Sequence, residues 1–135
     1  MMTPLRSETL PVREESDILL VRKLVRERAT ELRFSVLDQT KLMTAASELG
    51  RNTLIHGGGG TMLLESVVKN DRRGLRLTFE DKGPGIADLD QAMTDGFTTK
   101  RGLGLGLGGS KRLVDEFEVI SRVGEGTRVT ATLWT

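Results

Sequence analysis

The apolar residues near the beginning of the chain recur at helical spacing. Positions three or four residues apart carry Ile18, Val21, Val25, Ala29 and Leu32. Such residues share one face of a helix, which would pack against a core. We therefore predict a helix that Ser16 caps and that continues to about Phe34, preceded by a short strand over residues 8–12.

A second helix is predicted directly after the first. Ser35 and Asp38 are three residues apart and resemble a capping box, in which Asp stands at the third helical position. The helix would continue to about Ile55, and the glycine run at residues 57–60 would end it.

The middle of the chain changes to the alternation of a β-hairpin. Residues 61–68 form one predicted strand, residues 69–74 a polar turn, and residues 75–80 a second strand that continues into Asp81. In this second strand Leu75, Leu77 and Phe79 alternate with polar residues, as in a half-buried strand. The two strands would pair through the turn.

Beyond Asp81 the pattern becomes irregular before it returns to regular elements. Residues 83–105 predict a long loop with one short helix near residues 89–93. A third helix is expected over residues 107–116, and residues 117–122 and 128–134 predict a closing hairpin. Helices packed against a mixed, mostly antiparallel sheet make an α/β fold, a two-layer α/β sandwich.

Length and composition fit a single domain over residues 1–135 and exclude several classes of function. A net charge of +1 produces no strong electrostatic field that would attract nucleic acid or an anionic membrane, so we expect neither as a partner. The chain has no cysteine, which excludes disulfides and thiolate metal sites and fits a reducing, cytoplasmic location. Residues 1–13 lack the apolar segment of a signal peptide, and no apolar run approaches the roughly 20 residues that span a bilayer.

Glu48 and Asn52 are the first candidate site residues. They stand four apart on the second helix, so both side chains point to the same side. Glu48 can accept a proton, and the Asn52 amide oxygen suits a hard cation such as Mg²⁺. Taken alone, the pair is more typical of an exposed polar helix face.

Asp81, Gly83 and Gly85 form the second candidate segment, at the end of the second hairpin strand. The Asp81 carboxylate can accept a hydrogen bond from an exocyclic amine such as adenine N6, and the glycines let the backbone lie close to a ring. Taken alone, a tight turn explains these residues better, since Asp, Gly and Pro dominate turns.

A glycine-rich run over residues 102–109 is the third candidate segment, and it leads into the third predicted helix. Glycine backbone amides and a helix start favour an anion, and Lys100, Arg101 and Lys111 flank the run. The alternative is a hinge or lid without a ligand. The run matches the dinucleotide-binding glycine pattern without the strand that should precede it, and Ser110 before Lys111 reverses the order of a Walker A loop.

His56, the only histidine, could contact a phosphate, but an exposed position at a helix end explains it more simply. The sequence offers no His/Asp/Glu cluster for zinc and no readable Ser-His-Asp set.

Together and in this order, the three segments resemble the N, G1 and G2 boxes of the GHKL ATPases, the group of gyrase, Hsp90, histidine kinases and MutL. The short chain resembles the anti-sigma-factor serine kinases, and among them the switch kinases of the stressosome. The resemblance covers nearly the whole chain and is closest at residues 38–52, 80–86, 95–98, 111–117 and 124–127. It implies the Bergerat fold of the GHKL ATPases.

The resemblance also implies roles for individual residues. Glu48 would be the general base, Asn52 the Mg²⁺ ligand, Asp81 the reader of adenine, and Gly83 and Gly85 the floor under the base. A lid over the phosphates would include Gly102, Gly104 and Gly106. The remaining implied ATP contacts are Ile86, Thr98, Thr99, Lys100, Leu103 and Leu105.

The implied activity is transfer of phosphate from Mg·ATP to a serine or threonine of STAS-domain partners, an antagonist and a stressosome scaffold. The released kinase would then activate a PP2C-type phosphatase in a stress-response pathway. The alternative is an anti-sigma factor that sequesters a sigma factor and phosphorylates its STAS antagonist, and the basic residues 98–101 lean that way. Two further alternatives are a detached histidine-kinase catalytic domain and an ATP-binding module without catalysis.

Overall fold

The computed structural model describes residues 2–93 and 106–135. In chain order the elements are β1 (Thr3–Val12), α1 (Glu15–Glu31), α2 (Val36–Ile55), β2 (Gly60–Lys69), β3 (Arg72–Asp81), α3 (Leu89–Ala92), α4 (Gly106–Lys111), β4 (Glu116–Arg122) and β5 (Gly126–Trp134). The expected opening strand is confirmed, and it begins five residues earlier than residue 8.

The strands form one five-stranded sheet in the order β1-β2-β3-β5-β4. The expected α/β sandwich with a mostly antiparallel sheet is confirmed, and all four pairings among the described strands are antiparallel. The β2–β3 turn is shorter than predicted because Asn70 and Asp71 both adopt left-handed φ angles, 52° and 65°. Such a pair matches the strand twist in a tight hairpin, so strand pairing continues to Lys69 and Arg72.

The core lies between the helices and one face of the sheet. Leu75, Leu77 and Phe79 alternate along β3 and are at most 1% exposed. They pack with the apolar faces of α1 and α2 in one buried cluster, which includes Val25 and Leu49. Each such side chain contributes about 1.5–3 kcal/mol through removal of apolar surface from water. The helical periodicity of α1 and the alternation of β3 therefore correspond to one shared core.

The two long helices begin differently. Ser35 caps α2 as predicted, because its Oγ accepts a hydrogen bond from the Asp38 N–H at 3.1 Å. The prediction of Ser16 as the cap of α1 is wrong. Glu14 is the extended cap residue, and the Asp17 carboxylate accepts the N–H groups of Arg13 and Glu14 at 2.9 and 3.1 Å.

The third predicted helix is much shorter than expected. It is α4, which ends at Lys111 instead of near residue 116. Asp115 is hydrogen-bonded to β5 and cannot continue the helix. Its N–H donates to the Thr132 carbonyl at 2.9 Å, and its carboxylate accepts the Trp134 N–H at 2.8 Å. Strand pairing therefore replaces helix from Glu116 onwards.

Candidate functional site

A cavity of about 540 Å³ opens between α2, the end of β3, the loop that comes after it, α4 and the start of β5. This volume lies in the usual range for small-molecule sites. Six of the predicted site residues line it: Glu48, Asn52, Asp81, Gly85, Ile86 and Gly106. Segments far apart in the sequence thus enclose one space.

One wall of the cavity is a polar stripe of α2. Glu48, Asn52 and His56 are four residues apart and all line the cavity, as their shared helix face requires. Glu48 and Asn52 are partly buried, whereas His56 is exposed at the end of the helix. Both side chains therefore face the cavity, and so does His56, which the sequence interpretation placed at an exposed helix end.

The Asp81 carboxylate forms the far end of the cavity. Its Oδ1 accepts the Gly83 N–H at 2.9 Å, which fixes the orientation of the side chain. Gly83 itself does not line the cavity. It packs on Gly57, where a Cβ on Gly83 would lie only 2.7 Å from the Gly57 Cα, and a Cβ on Gly57 would overlap the Asp81 side chain. These glycines therefore make room for the carboxylate.

The loop after Asp81 is fastened to the β4–β5 turn. The Gly124 N–H donates to the Pro84 carbonyl and the Ile86 N–H donates to Ser121 Oγ, both at 2.8 Å. Gly85 has a φ of 77°, and a Cβ there would lie 2.7 Å from the carbonyl carbon of Arg122. Only glycine fits this close approach without displacement of backbone, so the loop that carries Gly85 and Ile86 is held against the cavity.

The glycine-rich segment is described only in part. Gly106 has a φ of 71° and begins α4, and both Gly106 and Leu107 line the cavity. The other residues predicted there lie outside the described residues: Thr98, Thr99, Lys100, Gly102, Leu103, Gly104 and Leu105.

The sequence interpretation did not assign Thr127 to the site. Thr127 lines the cavity and pairs with Asp81 across β3 and β5. Residues 124–127 are one of the segments of closest family resemblance, but the pairing of Thr127 with Asp81 depends on the cross-strand register of the whole sheet. His56, in contrast, could have been assigned from its spacing of four residues from Asn52.

The cavity has both apolar and polar lining. Phe79, Val129 and Leu107 supply apolar walls, while the cross-strand neighbours Asp81 and Thr127, together with Glu48 and Asn52 from the helix wall, supply polar groups. Partial desolvation lowers the pKa of His56 below its usual value, so the ring is neutral near pH 7. Such a cavity suits a flat ring whose donor group meets Asp81.

Two further observations limit the chemistry of the described part of the chain. It contains no group of three or more His, Cys, Asp or Glu residues that could hold a metal ion. None of the helices described is long and apolar enough to cross a membrane.

Comparison with known proteins points to a single family. Residues 37–135 match the family described as histidine kinase-, DNA gyrase B-, and HSP90-like ATPase. The chain is 47% identical over 120 residues to the serine/threonine-protein kinase RsbT of Bacillus subtilis, which covers 89% of this chain and 90% of RsbT. It is 36% identical over 101 residues to an anti-sigma F factor of Bacillus thuringiensis, which covers 70% of this chain and 68% of that protein.

A solved structure agrees on the fold. A crystal structure of the RsbU and RsbW domains of a Mycobacterium tuberculosis protein superimposes with a TM-score of 0.65 at 21% identity. The match covers 97% of this chain and 33% of that longer one.

Proposed function

Because the chain belongs to the family of histidine kinase-, DNA gyrase B- and HSP90-like ATPases, we propose that its cavity binds Mg·ATP for phosphoryl transfer to a partner protein. The family, the fold class and the serine/threonine-protein kinase activity expected from the sequence are confirmed. The roles of individual residues and the identity of the partners are proposals.

The adenine end is proposed at Asp81. The carboxylate accepts only, and the Gly83 N–H occupies one of its oxygens, so a second oxygen is available for the amino group of the base. Ile86, Leu107 and Val129 line the adjacent space and would cover the ring faces. The support is the chemistry of this donor and acceptor set, together with a volume of about 540 Å³.

The phosphates would extend along α2. Asn52 offers a neutral amide oxygen to Mg²⁺, and the ATP phosphates would supply further oxygens. The bound ion would neutralise charge on the phosphates. We assign Gly102, Gly104 and Gly106 to the phosphate lid on the resemblance.

Glu48 is the proposed general base. The hydroxyl oxygen of a partner serine or threonine attacks the γ-phosphorus, and its proton passes to the Glu48 carboxylate. The bond between the γ-phosphorus and the bridging oxygen breaks, and ADP leaves with that oxygen. Glu48 lies on the same helix face as Asn52, the proposed Mg²⁺ ligand. The proposed general base would therefore lie next to the phosphates.

The proposed substrates are STAS-domain proteins, an antagonist and a stressosome scaffold in the cytoplasm. The released kinase would activate a PP2C-type phosphatase. The observation that carries this choice is the 47% identity to RsbT over 89% of the chain. The second candidate, an anti-sigma factor that also phosphorylates a STAS antagonist, is favoured by 36% identity to an anti-sigma F factor.

The decisive experiment incubates the protein with radiolabelled Mg·ATP and a STAS-domain protein. We expect acid-stable label on the STAS protein, whereas acid-labile label would indicate a histidine kinase. Glu48→Gln should reduce transfer by about 10²–10⁴-fold with ATP affinity retained, because general-base catalysis contributes that much. Glu27→Gln, on the exposed side of α1, is the matched control and should transfer like wild type.

Undiminished transfer by Glu48→Gln would remove Glu48 from this role.

A pull-down with this protein distinguishes the two partner candidates. Retention of a phosphatase regulator supports the switch kinase, and retention of a sigma factor supports the alternative.

A further inference from the structure

The Ser121 side chain stands behind the adenine end of the cavity, on β4. Its Oγ has three partners: the Ile86 N–H at 2.8 Å, the Gly126 carbonyl at 3.2 Å and Thr127 Oγ1 at 2.7 Å. The first belongs to the loop after Asp81 and the other two to the start of β5. One hydroxyl thus joins the two segments that frame this end of the cavity.

Two of the three hydrogen-bond directions follow from the atoms alone, and the third follows when all three hydrogen bonds are made at once. A serine hydroxyl has one hydrogen to donate and two lone pairs that accept. The Ile86 N–H can only donate, and the Gly126 carbonyl can only accept. Ser121 therefore donates its hydrogen to Gly126 and uses one lone pair for Ile86, which leaves one lone pair for Thr127.

Thr127 must then donate its own hydroxyl hydrogen to Ser121. The Thr127 oxygen keeps only lone pairs for the cavity that it lines. Asp81, its neighbour across the strands, is also an acceptor, with one oxygen already bound by Gly83. Both polar groups at this end therefore present acceptors to a ligand.

We propose that Ser121 is a positioning residue that fixes Thr127 as an acceptor and so makes the site selective for 6-amino over 6-oxo purine nucleotides. This inference rests on the proposed nucleotide site. A 6-amino group can donate to the two acceptors, whereas a 6-oxo group would place another acceptor against them. Loss of the Ser121 hydroxyl frees the Thr127 hydroxyl to rotate and donate, which accommodates the 6-oxo group.

The test measures the ratio of Kd for inosine triphosphate to Kd for ATP by titration calorimetry. Ser121→Ala should lower this ratio by about 3–10-fold, the range of one hydrogen bond. Ser121→Thr, which keeps the hydroxyl, should restore it to within about twofold of wild type. Thr130→Ala, also on β5 but outside the cavity lining, is the control and should leave the ratio unchanged.

A double variant separates positioning from support of the loop. In a Thr127→Val background, addition of Ser121→Ala should weaken both nucleotides alike and leave their ratio unchanged, because the Thr127 hydroxyl is absent. Should Ser121→Ala not fold, Ser121→Cys keeps the volume with only a weak sulfhydryl donor, and it should also lower the ratio.

An equal loss of both affinities in Ser121→Ala or Ser121→Cys, with the ratio kept, would overturn the proposal and leave Ser121 a purely structural role. So would a fall of the ratio in the Thr127→Val background. Wild-type protein that binds neither nucleotide would instead contradict the proposed nucleotide site itself, so the two failures are distinguishable.

Discussion

Gly85→Ala tests whether the loop after Asp81, next to the proposed adenine end, depends on its close approach to the β4–β5 turn. At a φ of 77°, an alanine costs about 1 kcal/mol net, from left-handed strain offset by lower entropy of the unfolded chain. Its Cβ would also lie 2.7 Å from the carbonyl carbon of Arg122 and 3.0 Å from the Val123 Cα. Both neighbours are backbone atoms, so a side-chain rotation cannot relieve the collision.

The loop must therefore move away from the β4–β5 turn. That movement breaks the Pro84–Gly124 and Ile86–Ser121 hydrogen bonds, both 2.8 Å long. Each contributes about 0.5–1.5 kcal/mol, so with the strain Gly85→Ala should destabilise the protein by about 2–4 kcal/mol. ATP affinity should fall as well, since the displaced loop carries Ile86 and adjoins Asp81.

Gly124→Ala is the matched control. Gly124 has a similar φ of 82°, but a Cβ there would meet no atom within 4 Å. It should cost only the strain, about 1 kcal/mol, and leave ATP affinity nearly unchanged. Urea unfolding and calorimetric titration measure the two quantities. Equal unfolding free energies and equal affinities for the two variants would refute the claim that the close approach at Gly85 constrains the site.

Three further predictions concern charged and titratable groups. Arg28 is 5% exposed and pairs with Glu8 and Glu31, which also pair with Arg6, so Arg28→Ala should lower the free energy of urea unfolding by about 1.5–3 kcal/mol, the range of a hydrogen bond to a charged group. Arg76 holds both carboxylate oxygens of Glu65, at 2.9 and 3.1 Å, and Arg76→Lys should cost about 1 kcal/mol in the same assay because lysine lacks the planar fork. The lowered pKa of His56 means that the unfolded state binds its proton first as pH falls, so the contribution of His56 to stability is present above about pH 6.5 and is lost below it. Melting temperatures between about pH 7.5 and about pH 5.5 should decline less for His56→Gln than for wild type.

The regular elements could be predicted wherever a single local pattern decides them. Helix periodicity placed Val21 and Val25 in the core, and alternation did the same for Leu77. The errors lie at element ends. The start of α1 depends on which side chain accepts the backbone N–H groups of Arg13 and Glu14. The Asp17 carboxylate accepts both of them, and the Ser16 hydroxyl accepts neither. The early end of α4 depends on strand contacts of Asp115, which lie far away in the sequence.

In the site, too, some residues are placed by a local pattern and others by contacts between distant segments. Glu48, Asn52 and His56 belong to one helix, so their common direction can be derived from spacing alone. The proposed adenine end is different, because the loop there takes its shape from hydrogen bonds to Ser121 on β4 and to Gly124 in the β4–β5 turn. The order of Asp81 and its glycines indicated a site there, but it could not indicate that Thr127 would lie beside them.

The groups proposed for catalysis and those proposed for base recognition lie on different elements. The groups proposed for proton transfer and metal binding sit on α2, a long helix capped at Ser35 and packed on α1. The groups proposed for base recognition lie at the end of β3, at the start of β5 and on the loop after Asp81, which is bonded to β4 and to the β4–β5 turn. Substitutions that displace this loop, such as Gly85→Ala, should therefore change how tightly nucleotide binds, with transfer from bound ATP little affected, whereas Glu48 substitutions should do the reverse.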